Sequence, residues 1–434
     1  MKEFDPSGDS ASIVSVTDKV RPVAIGAPVI AVHFLGDKAA FVGAEENVAL
    51  VSGAGDIARV AVHSGGILCV ASDGKRIVMG GDDGKVVSLD AKGATTTLAT
   101  DPKRRWIDNV ALHPEGAVAW SAGKTAFVRD RKGEEKFFEV PSTVGGLAFA
   151  PKGMRLAIAH YNGVTLWVPN MAGSAQVLEW AGSHLGVVFS PDNKFLVTAM
   201  HESALHGWRL ADNRHMRMTG YPGRVRSLSW SAGGKALATS GADTVILWPF
   251  ASKDGPMGKE PAMLAPLQAR VTTVACHPKN DILACGYSDG TVLMVRLEDG
   301  AEILVRKNVG TPVAALAMGG ATARWVLIVV WAGALAGVIL KTAWPHAPAW
   351  VGVPIYVALG WVAVFVLPAM LTGGGVAALV LILVGGLLYT VGAVMYATRR
   401  PNPWPATFGY HEFFHAATVL AAICHYIAIW LILF

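Results

Sequence analysis

Short alternations of apolar and polar residues recur along the first three quarters of the chain, each broken by a turn of Pro, Asp, Asn, Gly or Lys. The clearest copies are Val110-Ala111-Leu112-His113-Pro114, Leu147-Ala148-Phe149-Ala150-Pro151, Val187-Val188-Phe189-Ser190-Pro191, Leu228-Ser229-Trp230-Ser231-Ala232 and Val274-Ala275-Cys276-His277-Pro278. Weaker copies start at Ile30 and Ile67, and an eighth start at Val313 runs only to Met318. Period-2 alternation places one face of a strand in a core and the other outside it. The residues before the turn, Leu112, Phe149, Phe189, Trp230, Cys276 and Met318, are spaced 37, 40, 41, 46 and 42 apart, the length of one four-stranded propeller blade. After Met318 the alternation gives way to continuous apolar runs at 324–341, 351–371, 376–397 and 408–434, bracketing the roughly twenty residues a membrane helix needs.

The second half of each repeat carries Asp83-Gly84, Asn162-Gly163 or Asp289-Gly290 before a β-branched strand, and these pairs supply the positive φ of tight hairpin turns. The predicted organisation is therefore multidomain. An N-terminal segment (1–25) precedes an all-β propeller (26–318) of seven recognisable repeats with an eighth truncated. A short junction (319–323) leads to an all-α transmembrane bundle of four helices (324–434). A propeller one blade short would leave strand edges unpaired, and the segment from Ile13 to Val23 is the candidate to cover one.

Charge narrows the partners. The apolar fraction is 52% and the charged fraction 16%. From Gly319 onward the only charged residues are Arg324, Lys341, Arg399, Arg400 and Glu412, so the net +5 reads as loop charge flanking membrane spans. That pattern carries no nucleic-acid signal, and the lipid bilayer is the expected partner of the C-terminal part. The four cysteines, at 69, 276, 285 and 424, show no C-x-x-C spacing and read as reduced thiols. The first 21 residues lack the apolar core of a secretory signal, which predicts a cytoplasmic propeller.

Candidate chemistry concentrates in the last apolar run. His411 and His415 are four apart, and on a helix that spacing stacks two imidazoles on one face, as two ligands of one metal ion require. His425 follows fourteen residues after His411 and is the weakest candidate of the three. The alternative is that His411 and Glu412 lie in the headgroup region, where they cost little. In the repeats no persuasive catalytic set emerges. His113, His160, His184, His201, His206, His215 and His277 read as turn or blade-packing residues. Asp82-Asp83 and Lys103-Arg104-Arg105 read as solvated loop charge, with contact to an acidic partner the alternative for the basic run.

The repeats resemble the WD-repeat β-propeller, with the Trp-Asp pair altered to Trp167-Val168, Trp208-Arg209 and Trp248-Pro249, Leu89-Asp90 keeping the acid, and Ser183-His184 close to the Gly-His pair. Those departures predict that the usual Asp-His-Ser/Thr-Trp network is lost. A propeller of this type implies a binding platform for a protein partner. Residues 324–434 resemble the C-terminal half of the hemolysin III family, related to the progestin and adipoQ receptors. The stretches that carry this are 330–337, Tyr356 to Trp361, Gly385 to Gly392 and Gly409-Tyr410-His411-Glu412-Phe413-Phe414-His415.

The second resemblance implies seven spans, of which the last four are present here. It also implies a zinc ion held by one histidine of the second span and by His411 and His415. With that third histidine lacking a counterpart, zinc is a cofactor with two of its family ligands in place, and enzymatic activity is not expected. By the positive-inside rule Lys341 and Arg399-Arg400 face the cytoplasm, which would put the propeller outside, whereas Arg306, Lys307 and Arg324 weigh for a cytoplasmic propeller. The readings that follow are a hemolysin- or channel-like protein of the bacterial inner membrane with zinc-hydrolase ancestry, a membrane-anchored scaffold, and a chimera of two truncated proteins.

Overall fold

The computed structural model describes residues 13–171, 173, 175–319, 367–404 and 409–433. The chain divides into a β unit, Met1–Ser52 with Ile57–Gly319, and a second unit, Gly320–Phe434 together with the short turn Gly53–Asp56, whose described elements are helices. The predicted spans 324–341 and most of 351–371 lie outside the described residues.

The β unit is a propeller of six hydrogen-bonded antiparallel sheets, covering 29–61, 67–100, 109–139, 146–218, 228–264 and 271–306. The seven predicted repeats map onto six sheets because the starts at Leu147 and Val187 fall in one six-stranded sheet. Two long strands, Leu156–Trp167 and Gln176–Phe189, join its halves. Residues 156–159 of the first pair back to Gly146–Phe149, whereas Gly163 to Leu166 pair forward with Gln176 to Glu179. The second strand then pairs His184 to Phe189 with the following strand, Phe195–Met200. Asn162 at φ 66° makes the reversal between the two halves of Leu156–Trp167, which is why this turn carries Asn-Gly.

Consecutive sheets are tied by a recurring backbone bond. Ile107, Val144 and Val271 each donate an N–H to the carbonyl of Gly81, Gly123 and Ala242 in the sheet before. Val313 donates in the same way to Tyr287, so the eighth start begins as the others do. It adds no strand, however, and the chain through 313–319 is irregular. The outer edge of the last sheet is covered by the N-terminal segment, where Val14 and Ser15 pair in parallel with Ile303 and Leu304. One exposed edge is thereby protected by the stretch the sequence proposes for it.

Between sheets the core is apolar and closely packed. Phe195, Trp248 and Phe250 lie in one cluster with Leu205 and Met216, and Val78, Ile107 and Trp120 lie in another. All four cysteines are unpaired thiols, and Cys285 is buried.

In the helical unit two helices are described, α1 (Leu367–Thr398) and α2 (Tyr410–Leu433). The sequence pattern ends one span at Leu371 and begins another at Val376, but α1 runs without interruption through Thr372-Gly373-Gly374-Gly375. Glycines cost a helix about 1 kcal/mol each without blocking its hydrogen bonds, and no proline follows Pro368 until Pro401. Val376–Thr398 and Tyr410–Trp430 are long and apolar enough to cross a membrane, with mean hydropathy 2.4 and 1.6.

Candidate functional site

The loops at one end of the propeller are linked by hydrogen bonds that define a common face. Arg105 Nη1 donates to Ala122 O (3.3 Å), Val144 N to Gly123 O (2.9 Å) and Tyr161 N to Ser142 Oγ (2.8 Å). Two aromatics stand out from this end, Trp106 at 62% and Tyr161 at 58% exposure. Exposed rings of this size are the usual anchors of protein interfaces.

The same end holds the polar pairs that the altered Trp-Asp motifs conceal. His63 Nδ1 lies 3.0 Å from Asp83 Oδ1, with the Asp83 side chain only 9% exposed. Asp83 is therefore a paired, largely buried carboxylate, correcting the reading of Asp82-Asp83 as solvated charge. Burial would raise its pKa, but hydrogen bonds from the Ser64 N–H, His63 and the Lys85 N–H outweigh that and hold it at about 2. In the basic run, Arg105 clasps the buried Asp101 through Nη2 (2.7 Å) and Nε (3.1 Å), so it too is an ion-pair residue.

The networks expected to be lost are in part rebuilt from other residues. In the sheet 228–264, Trp248 Nε1 donates to Tyr221 Oη (2.6 Å), which lies 2.7 Å from Thr239 Oγ1. Thr239 in turn donates to Ile246 O (3.0 Å). Tyrosine thus stands where the motif has histidine. Tyr221→Phe leaves the buried indole N–H without its acceptor, and the expected loss is about 1–3 kcal/mol in chemical denaturation of the full chain.

In the sheet 146–218, His184 Nδ1 lies 2.8 Å from Thr198 Oγ1 and its ring 5.7 Å from Trp208. His206 beside them is fully buried, and neither of its ring nitrogens has a hydrogen-bond partner among the described residues. It is held by stacking, 4.0 Å from Trp180, and by edge contact with Trp208 at 4.7 Å. Other histidines serve turns and strands as expected. His113 Nδ1 accepts from Glu115 N (3.1 Å), His160 Nε2 meets Thr165 Oγ1 (2.9 Å), and His277 Nδ1 accepts from Lys279 N (3.1 Å).

On α2 the two spaced histidines meet, His411 Nε2 and His415 Nε2 being 3.0 Å apart. Two nitrogens bound to one tetrahedral zinc at about 2.05 Å would sit about 3.3 Å apart, so the pair fits two corners of a site. His425 is not brought to it. Ten residues of helix, about 15 Å, separate it from His415, and its Nε2 instead faces Ile382 O of α1 at 3.4 Å. Glu412 is also occupied, its Oε2 accepting from Gly409 N (2.8 Å) to cap the helix start. Among the described residues no group of three or more His, Cys, Asp or Glu could hold a metal ion. The donors present therefore fit two corners of a tetrahedral zinc site.

The two helices touch where α1 lacks side chains. A Cβ on Gly385 would lie 2.4 Å from His425 Nε2 and 3.2 Å from Ala421 O. Gly385→Val is accordingly expected to force the helices apart and to cost about 1–3 kcal/mol, read as faster proteolysis of the 399–409 connection in detergent.

Fold and site together define a β-propeller followed by a membrane-associated helical region. Residues 213–248 and 264–294 match the family "WD domain, G-beta repeat", and residues 308–426 match "Haemolysin-III related". The chain thus joins WD repeats to a haemolysin-III related domain, whose match begins inside the β unit and includes Val313. The propeller is similar to the crystal structure of the computationally designed Ika8 protein, at 19% identity and a TM-score of 0.56. That match covers 68% of this chain and 91% of that one, and it shows the fold alone.

Proposed function

We propose that the chain is a multi-pass protein of the bacterial inner membrane whose propeller lies in the cytoplasm and binds a protein partner through its loop end. The observation that carries this reading is the pair Trp106 and Tyr161, one on a loop and one in the strand Leu156–Trp167 beside its reversal, both exposed where hydrogen bonds tie one end of the propeller into a face. Arg306 and Lys307, which precede the C-terminal apolar runs in sequence, favour the cytoplasmic side. The propeller counts seven blades, the sheet 146–218 supplying two of them on either side of its register breaks at Tyr161/Gly163 and His184/Gly186. Four spans follow, α1 and α2 including the last two. Combined Trp106→Ala and Tyr161→Ala is expected to lower partner co-purification from membranes at least about tenfold. Stability should change by less than about 0.5 kcal/mol. Co-purification at wild-type level would reject the reading.

A second reading is favoured by the 3.0 Å approach of His411 and His415, a completed zinc centre in a hemolysin- or channel-like domain with zinc-hydrolase ancestry. Completion would require further donors from water or a second subunit. Zinc content of the purified chain, with and without His411→Ala and His415→Ala, separates the two. One zinc per chain that is lost in the double variant supports the second reading, and zinc well below one per chain opposes it.

A further inference from the structure

We infer that the C-terminal end of α1 forms a binding site for an anionic phospholipid, with the phosphate on Arg399 and Arg400 and an acyl chain along Val391 and Val394. A cleft of about 810 Å³ lies there, with these four residues, Met395 and Asn402 among its lining. Its walls are apolar on the helix side and cationic at the helix end, the two-part character of a lipid. Val391 and Val394 are 42% and 53% exposed, and both arginines are exposed.

Neither guanidinium has an ion-pair or hydrogen-bond partner among the described residues. The sequence offers little to neutralise them. Glu412 is the only acid after Gly319, and its carboxylate is engaged by Gly409 N. The arginines are also held in place by the backbone. Arg400 N donates to Met395 O (3.3 Å), closing the helix with a Schellman turn in which Arg399 takes the left-handed position at φ 55°. Glycine is the usual residue there. The connection that follows presents Trp404 at 62% exposure, an aromatic of the kind that sits at headgroup level. Paired basic residues immediately beyond a span attract anionic headgroups. The cleft below them distinguishes this site from a bare surface charge.

The inference rests on the helical unit spanning a bilayer, and one preparation tests both. Native mass spectrometry of the full chain released from detergent, with phosphatidylglycerol or phosphatidylcholine added at equal concentration, should show phosphatidylglycerol adducts favoured at least about fivefold. The combination Arg399→Gln and Arg400→Gln should erase the preference. Val394→Trp, which fills the cleft and leaves both arginines, should remove the adduct itself. Inorganic phosphate at millimolar concentration should leave the adduct intact.

Equal adducts for the two lipids, a preference that survives the arginine substitutions, or displacement by phosphate would each overturn the site. Displacement would assign the arginines to free phosphate. Alkaline carbonate extraction of the same membranes separates this failure from a failure of the membrane reading. A chain released by carbonate overturns both, and a chain retained without lipid preference overturns the lipid site alone.

Discussion

Substituting Trp208 by alanine is expected to destabilise the propeller by about 3–5 kcal/mol, the range for removing a fully packed indole. Trp208 is 2% exposed and lies against both His184 (5.7 Å) and His206 (4.7 Å). Its loss therefore opens a cavity and also strips the His206 ring, whose nitrogens have no hydrogen-bond partner among the described residues, of one of its contacts. A loss this large is a substantial part of the stability of an ordinary domain. In the full chain it should appear as a lower propeller denaturation midpoint measured by tryptophan fluorescence. Trp208→Phe, which keeps an aromatic edge beside His206, should recover part of it. A midpoint within experimental error of wild type would mean that the cluster around His206 contributes little.

Acid should weaken the same cluster. Burial, with the neighbouring His215, His184 and Arg217 adding to it, pushes His206 from its ordinary 6.5 down to about 3. Its folded pKa is thus below its unfolded one, and below pH 6.5 the unfolded chain binds the proton the folded chain refuses. The stability His206 contributes is complete above pH 6.5 and falls as pH drops toward 3. The slope approaches 1.4 kcal/mol per pH unit, so about 2 kcal/mol should be lost between pH 6.5 and 5. Asp83 adds to the loss only below its unfolded value of 3.8, as pH approaches about 2. His206→Phe replaces the imidazole with a ring that does not titrate, and equilibrium denaturation should then vary much less between pH 6.5 and 5. An unchanged pH slope in that variant would assign the acid sensitivity elsewhere.

The repeat was legible because its signals are local. Alternation at Leu147 to Phe149 and Val187 to Phe189, with Asn162-Gly163 at a hairpin, specifies strands and turns through contacts a few residues apart. The polar networks were not legible for the opposite reason. Tyr221 reaches Thr239 and Trp248 across 18 and 27 residues, so a tyrosine doing the work of the motif's histidine shows only once the sheets are assembled. His63 and Asp83 are twenty residues apart and give no pattern, although the Asp-Gly turn beside Asp83 is visible.

In the helical unit the i, i+4 spacing of His411 and His415 translated directly into contact, since helix geometry alone sets it. The helix continues through the triple glycine at 373–375 because glycine lowers helix propensity without forbidding the helix. His425 lies outside the pair because fourteen residues of helix carry it too far along the axis, whatever side it faces.

Site-specific photocrosslinking in native membranes, with a photoreactive residue placed in turn at Trp106, Tyr161 and Asn193, decides whether the loop end holds a protein partner. Asn193 sits on a turn at the opposite end of the strands from Tyr161. A working loop end predicts the same discrete crosslinked product from positions 106 and 161 and none from 193. Equal crosslinking from all three positions, or product from 193 alone, would contradict it.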